Sequence, residues 1–389
     1  LALDDGTTSL MVISCDVIGM ADSDVAQIQK AVAARVPVPE TNVLIFSTHT
    51  HTAPALLEAF ETTRADDYAV ELPRRIVRAA ETAWQDLAEA SVSYAQKDVP
   101  GVAFERRYRM ADGSVMTNPG KMNPDIVEPR RQIRTPITLI GFERDVTRLP
   151  IVVASFPCHA DVVGGTEVSA DYPGRLCDHL THELPGHPET LFLRSPAGDI
   201  NHLDVKSADA QGGYDYAKQM AKAITARALV AWGERETLPG DLSLAVTQVP
   251  LERRTIEQGE LAAARSVFAQ HQYESQLPAE ALWARELMLL AQMPETLPIT
   301  IAGLRAAGVL LLAVQGELFS ELGEAIEGHS LAPKTLVLDC FSGRLGYLPP
   351  RESYAQNGYE ERPARSSPYR AGSGEAVVAA AVELAKTMA

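Results

Sequence analysis

Cysteine is scarce in this chain. Only Cys15, Cys158, Cys177 and Cys340 occur in 389 residues, far apart and with no Cys-x-x-Cys pair. A disulfide-stapled scaffold is therefore not expected, and mostly buried free thiols are. No apolar run approaches the ~18–20 residues that span a bilayer, so no integral membrane segment is expected. The strongest run, GVLLLAV at 308–314, has the length of a strand. Positive charge is in deficit, with 35 Lys and Arg against 51 Asp and Glu and a formal net charge of −16. Such a balance repels phosphate backbones and anionic surfaces and argues against nucleic acid as a partner. There is no internal repeat, no low-complexity tract and no linker-like stretch, so one domain over 1–389 is expected. No signal peptide is visible. The chain opens LALDDG, without methionine, at what reads as the tail of a strand. A truncated N-terminus is therefore expected, and the choice between a cytoplasmic and a secreted soluble protein stays open.

What is present is an alternation of apolar strand-like runs and helical patterns. SLMVISCDVIGM (9–20) reads as a strand, SDVAQIQKAVAARV (23–36) as a helix, NVLIFSTHTH (42–51) as a strand and 67–88 as a helix with Pro73 near its start. Strands follow at 136–144, 149–160, 190–200, 242–251 and 308–314, and helices near 172–184, 213–233, 256–294 and 375–388. This rhythm predicts an α/β fold with a mixed, largely buried sheet flanked by helices. Residues 101–136, rich in Gly, Pro, Asn and Arg, read as a long surface excursion.

Several strand ends carry polar groups. STHTHTAP (47–54) sets His49 and His51 two residues apart, and side chains at i and i+2 of a strand share a face. Clefts in α/β sheets lie at the carboxyl ends of strands, and imidazole is the commonest metal ligand. His159 ends the apolar run IVVASFPCHA, and its neighbour Cys158, pointing to the opposite face, reads as core packing. RSPAGDIN (194–201) brings Asp199 and Asn201 to another strand end, either for a polar site or for an Asx turn. In VQGELFSELG (314–323), Glu317 follows a buried strand, and Glu321 is the weaker choice one helical turn later. Two His and one Glu form a plausible zinc shell, since catalytic zinc keeps three protein ligands and an open position.

Taken in order, FSTHTHTAP, CHADVVGGTEVSADYPG, SPAGDIN, QGELFSELG and GYLPPRESYAQNGYE resemble the neutral/alkaline, non-lysosomal ceramidase family, over roughly residues 1 to 370. The resemblance implies a zinc ion held by His49, His159, Glu317 and Tyr347. It implies an active-site tyrosine at Tyr359, a substrate contact or proton relay at His51, and a substrate-binding arginine at Arg107 or its neighbour Arg106. The family carries a serine where Asn201 stands, and an amide is no nucleophile but can bond substrate or water. The family's C-terminal immunoglobulin-like domain has no counterpart in this sequence.

What the resemblance implies is a zinc-dependent hydrolase that cleaves an amide (C–N) bond through metal-activated water. Its substrate would be a small-molecule or lipid-like amide other than ceramide. Asp199 and Asp16 are candidates to orient metal-site histidines, with a purely structural hydrogen bond as the alternative for each. Tyr354 and Tyr369 read as packing. The alternatives are a zinc-dependent esterase or lactonase, and a non-catalytic ligand-binding protein on the same scaffold.

Overall fold

In the computed structural model, which describes residues 1–389 except 61, 146, 357 and 389, the continuous apolar strands are explained by where alternate side chains go. Along Val309–Val314, Val309, Leu311 and Ala313 enter one hydrophobic cluster, while Leu310, Leu312 and Val314 enter another. Along Val43–Ser47, Leu44 and Phe46 join the first of these clusters, and Val43 and Ile45 face a third. A strand covered on both faces has no reason to alternate with polar residues.

The shared cluster lies between sheets. On one side are a three-stranded sheet (Ala2–Asp4, Ser9–Cys15, Val43–Ser47) and a five-stranded sheet in the order Glu189–Phe192, Ile151–Ser155, Pro136–Arg144, Ala90–Asp98, Glu236–Leu238. On the other is a four-stranded sheet, Leu242–Glu252, Thr296–Ala306, Val309–Val314, Lys334–Leu338. Helices cover the outer faces: Asp22–Ala33 and Asp66–Gln85 on the first sheet, Asp171–Glu183 and Tyr214–Gly233 on the second, Ser320–His329 and Ser373–Thr387 on the third. The expected mixed, buried, helix-flanked architecture is present, divided into facing sheets. No helix among the described residues is long and apolar enough to cross a membrane. Cys15, Cys158 and Cys340 are buried free thiols.

Each of the three larger sheets holds one parallel strand pair: Ser9–Cys15 with Val43–Ser47, Ile151–Ser155 with Glu189–Phe192, and Val309–Val314 with Lys334–Leu338. Their carboxyl ends lead into the segments that carry His49, His159, Asp199, Glu317 and Tyr347.

The excursion at 101–136 is more ordered than its composition predicts. Val115–Thr117, Arg107–Met110 and Ile126–Pro129 form a small sheet, with Tyr108, Met110 and Val205 as its own apolar centre. Phe104–Glu105 pairs with the distant Ile200–Asn201. Strands this short show no readable period, and one of them has its partner about a hundred residues away.

Glu105 is buried on that short pairing. Its Oε1 accepts the Arg107 N–H at 3.1 Å, while Oε2 has no partner. Burial, then the charge of Asp199, pushes its pKa up to about 9. A carboxyl whose folded pKa exceeds its unfolded value favours folding below the unfolded pKa, and that contribution is lost as pH rises to about 9. The loss amounts to at most about 1.4 kcal/mol per pH unit. Glu105→Gln is therefore expected to gain on the wild type in urea denaturation at pH 8 relative to pH 5. An equal difference at both pH values would contradict this.

Candidate metal centre

The chain reaches His49 through a tight turn. His49 has φ +67°, a left-handed conformation that costs any residue with a Cβ and is held here by the surrounding contacts. Its N–H donates to Val17 O at 3.1 Å, and its ring Nδ1 lies 2.7 Å from Ile18 O. His159 is held in the same manner by the neighbouring crossover. Its N–H donates to Ile200 O at 3.2 Å, and its Nδ1 lies 3.0 Å from the same carbonyl.

A carbonyl oxygen carries no proton, so Nδ1 is the donor in both rings. In the neutral ring this leaves Nε2 unprotonated. Both Nε2 atoms lie 3.3 Å from Oε2 of Glu317, and that oxygen is buried with no hydrogen-bond partner. Burial opposes ionisation of Glu317, but the adjacent His49 and His159 hold its pKa well below the usual carboxylate range. Burial, then Arg106, lowers His159 to about 3, so this ring is neutral near pH 7. With each Nδ1 given to a carbonyl, the two Nε2 atoms and Glu317 Oε2 converge on one point, which is a donor set for a cation. Buried polar atoms without partners are otherwise costly.

His51 completes a histidine cluster. Its ring centroid is 5.0 Å from that of His49 and 6.0 Å from that of His159, and one nitrogen from each ring lies within 4.8 Å of the others, close enough to hold a metal ion. His51 stands at the exposed rim, while His49 and His159 are buried. The packing around its ring, then His49, lowers its pKa to about 4.

Glu317 sits on a two-residue strand paired in parallel with Tyr347–Leu348, in register Glu317↔Tyr347. Gly316, at φ +111°, permits the turn into it; a Cβ there would lie 2.8 Å from Gly346 O. A Cβ on Gly198 would lie 2.8 Å from Glu317 O, so the 194–201 loop packs on the glutamate only because that residue is glycine. Tyr347 is buried, and its pKa is pushed well up by burial and by Glu317. Tyr359 is 40% exposed, its ring 5.9 Å from that of Tyr347. Burial, then Glu317, raises its pKa to about 12.

The two arginines of FERRYRM diverge. Arg106 turns inward: Nη1 is 3.4 Å from His159 Nε2, Nη2 donates to Gly198 O at 2.7 Å, Nε pairs with Glu360 at 2.8 Å, and its guanidinium stacks 5.4 Å from the Tyr347 ring. Arg107 turns the other way, to Glu361 and to Gln356 Oε1 at 2.9 Å, fully buried against the Phe319 ring. Of the expected pair, the geometry brings Arg106 to the donor cluster and assigns Arg107 to a buried ion pair, because successive residues of extended chain face opposite sides.

The remaining expected residues lie one step back. Asn201 Nδ2 donates to Asn118 at 2.8 Å, and Oδ1 accepts the Leu203 N–H at 3.0 Å, so the amide holds its own loop. Asp199 accepts from the N–H and hydroxyl of Ser320 at 2.7 and 2.9 Å, fixing the segment after Glu317 without touching either histidine. Asp16 accepts from the Thr48 hydroxyl at 3.1 Å, one residue from His49 and not on its ring. Tyr354 and Tyr369 pack together through a 3.0 Å hydrogen bond from the Tyr354 hydroxyl to the Tyr369 carbonyl. Sequence reading missed Asp161 and His202, which pair at 3.1 Å and tie the His159 loop to the Asn201 loop. Their only signal was position, two residues after His159 and one after Asn201. It also missed the Ile18 and Ile200 carbonyls, which no side-chain pattern reveals.

No protein-family model matches the chain, and no curated protein matches it. Solved structures do. A ceramidase complexed with C2 aligns at TM-score 0.73 and 17% identity, covering 100% of this chain and 69% of that one. Neutral ceramidase from Pseudomonas aeruginosa aligns at TM-score 0.70 and 18% identity, covering 98% and 67%. At such identities the likeness is one of architecture, and on that evidence the chain has the neutral-ceramidase fold.

Proposed function

We propose that this protein is a zinc-dependent hydrolase of an amide C–N bond, related in mode of action to the ceramidases whose fold it shares. The observation that carries the reading is the convergence of His49 Nε2, His159 Nε2 and the partnerless Glu317 Oε2, with each Nδ1 occupied by a carbonyl. Two imidazoles and one carboxylate suit zinc, and Tyr347, beside Glu317 in the strand register, is the fourth ligand by resemblance. A zinc ion bound there supplies Lewis acidity that polarises a carbonyl and makes water nucleophilic near neutral pH.

The chain's own groups divide the remaining work. Arg106 directs Nη1 toward the donor cluster, where negative charge develops on the attacked carbonyl oxygen. Tyr359 keeps its phenolic proton at neutral pH, since its pKa stands at about 12, and serves as a second donor to that oxygen. His51, at the exposed rim and neutral at pH 7, takes a proton from water and returns it to the leaving amine. No side-chain nucleophile is required, consistent with Asn201 being engaged in its own loop.

Purified protein is expected to contain zinc by elemental analysis and to turn over members of an N-acyl amide panel. Chelation should abolish turnover and zinc should restore it. Metal-replete protein that hydrolyses no amide would end this reading. Tyr359→Phe is expected to lower kcat about 10²–10³-fold with little change in KM, as for removal of one oxyanion donor. An unchanged kcat would remove Tyr359 from the chemistry.

A further inference from the structure

Four aromatic rings run in a row from the donor cluster to the surface. Tyr347 meets Tyr359 at 5.9 Å, Tyr359 meets Trp283 at 5.7 Å, and Trp283 meets Phe60 at 5.2 Å, all edge to face. Trp283 belongs to the helix Ala279–Leu290, to which sequence reading gave no role. One turn further along this helix, Glu286 is buried. It accepts the Phe60 N–H at 3.1 Å and a bidentate pair from Arg365 at 2.7 and 2.9 Å. The helix is thus clamped to the loop after His51 and to the loop after Tyr359, and the row is built before any ligand arrives.

Over the third ring of the row, Trp283, stands the guanidinium of Arg362 at 4.1 Å. Arg362 is exposed; among the described residues its guanidinium meets that ring and no carboxylate, and its backbone N–H donates to Tyr359 O at 3.3 Å. Stacking fixes the plane of the guanidinium and leaves its N–H edge free for a planar anion. In a chain of net charge −16, the long-range field repels anions, so an anionic group is held beside these rings only through such a local cation.

We propose that Tyr359, Trp283 and Phe60 form the wall for the apolar flank of the substrate, and that Arg362 reads an anionic group at the end of that flank. This rests on the hydrolase reading and narrows it. The preferred substrates are amides that carry a carboxylate or similar anion remote from the scissile bond, instead of neutral lipid amides. Two ring-to-ring steps, of 5.9 and 5.7 Å, separate Tyr347 from Trp283, so the anion stands well away from the reacting carbonyl.

The test compares the mono-p-nitroanilide of azelaic acid with its methyl ester, which differ in the remote charge and one methyl group. Wild type is expected to favour the acid about tenfold in kcat/KM, the size of one partly exposed charge-assisted hydrogen bond. Arg362→Gln should erase this preference by raising KM for the acid alone, with kcat unchanged. Trp283→Ala should raise KM for both substrates, and Trp283→Phe should restore most of the loss. Equal wild-type values for acid and ester, or a preference that survives Arg362→Gln, would overturn the inference. If neither compound is turned over, the hydrolase reading is at fault, and binding decides. Tryptophan emission titrated with azelaic acid monoamide should then report affinity about tenfold weaker in Arg362→Gln. Equal affinity in wild type and variant would overturn the inference there too.

Discussion

Replacing His159 with alanine is expected to remove bound metal and catalytic turnover together. The substitution deletes one of two Nε2 donors that face the Glu317 carboxylate at 3.3 Å. His51 cannot take its place without moving, because its backbone is pinned to Ala160 O and its ring lies 6.0 Å from that of His159. Loss of several kcal/mol of metal-dependent stabilisation corresponds to a rate loss of about 10³-fold or more. Zinc content by elemental analysis and amide turnover are the paired measurements, with circular dichroism as the control for folding. His159→Ala protein that retains both zinc and activity would show that the donor set described here is not the metal site. His51→Ala gives a useful contrast. It should retain zinc if His49, His159 and Glu317 are the ligands, and lose it if the three histidines are.

The second large effect concerns stability. Arg194 and Asp339 are fully buried and joined by two hydrogen bonds of 2.8 Å each. The Asp339 N–H also donates to Arg194 O at 3.0 Å. The pair ties the end of Glu189–Phe192 in one sheet to the end of Lys334–Leu338 in the facing sheet, directly beneath the turns that carry the donors. Asp339→Asn leaves a buried guanidinium without its counter-charge and is expected to cost about 3–5 kcal/mol, read as a shift in the urea midpoint. Arg194→Met combined with Asp339→Leu should recover most of that cost, because removing both charges also removes their desolvation penalty. A single variant as stable as the wild type would mean that the pair is not a structural tie. Since Cys340 N donates to Gly316 O at 2.9 Å, one residue from Glu317, zinc affinity should weaken along with stability.

The order of strands and helices was legible because period and length speak locally. VLLLAV and VLIFS are apolar at every position since both of their faces are covered, and the helical segments repeat at the spacing of a single buried stripe. What the apolar runs did not say is that their two faces belong to different layers. That division depends on which distant segment covers each face. The excursion at 101–136 resisted reading for a related reason. Its strands are two to four residues long and pair with segments as remote as Ile200–Asn201.

The same boundary runs through the candidate site. His49, His51, His159 and Glu317 stand out from sequence by chemistry and by their positions at or after strand ends, whereas Tyr347 and Tyr359 enter only through the family resemblance. Three facts depended on the folded chain. Arg106 faces the cluster while Arg107 does not, because a single peptide step reverses the side chain. Asn201 and Asp199 hold loops and leave the histidines to two backbone carbonyls, which carry no signature in a string of residue types. Trp283, some 230 positions from His51 by chain numbering, meets Tyr359 on a helix that Glu286 clamps to two loops. Residue chemistry and local period are properties of short stretches, and the sequence alone determines them here. Side-chain direction, backbone ligation and the meeting of remote segments arise from long-range packing, and only the tertiary structure decided those.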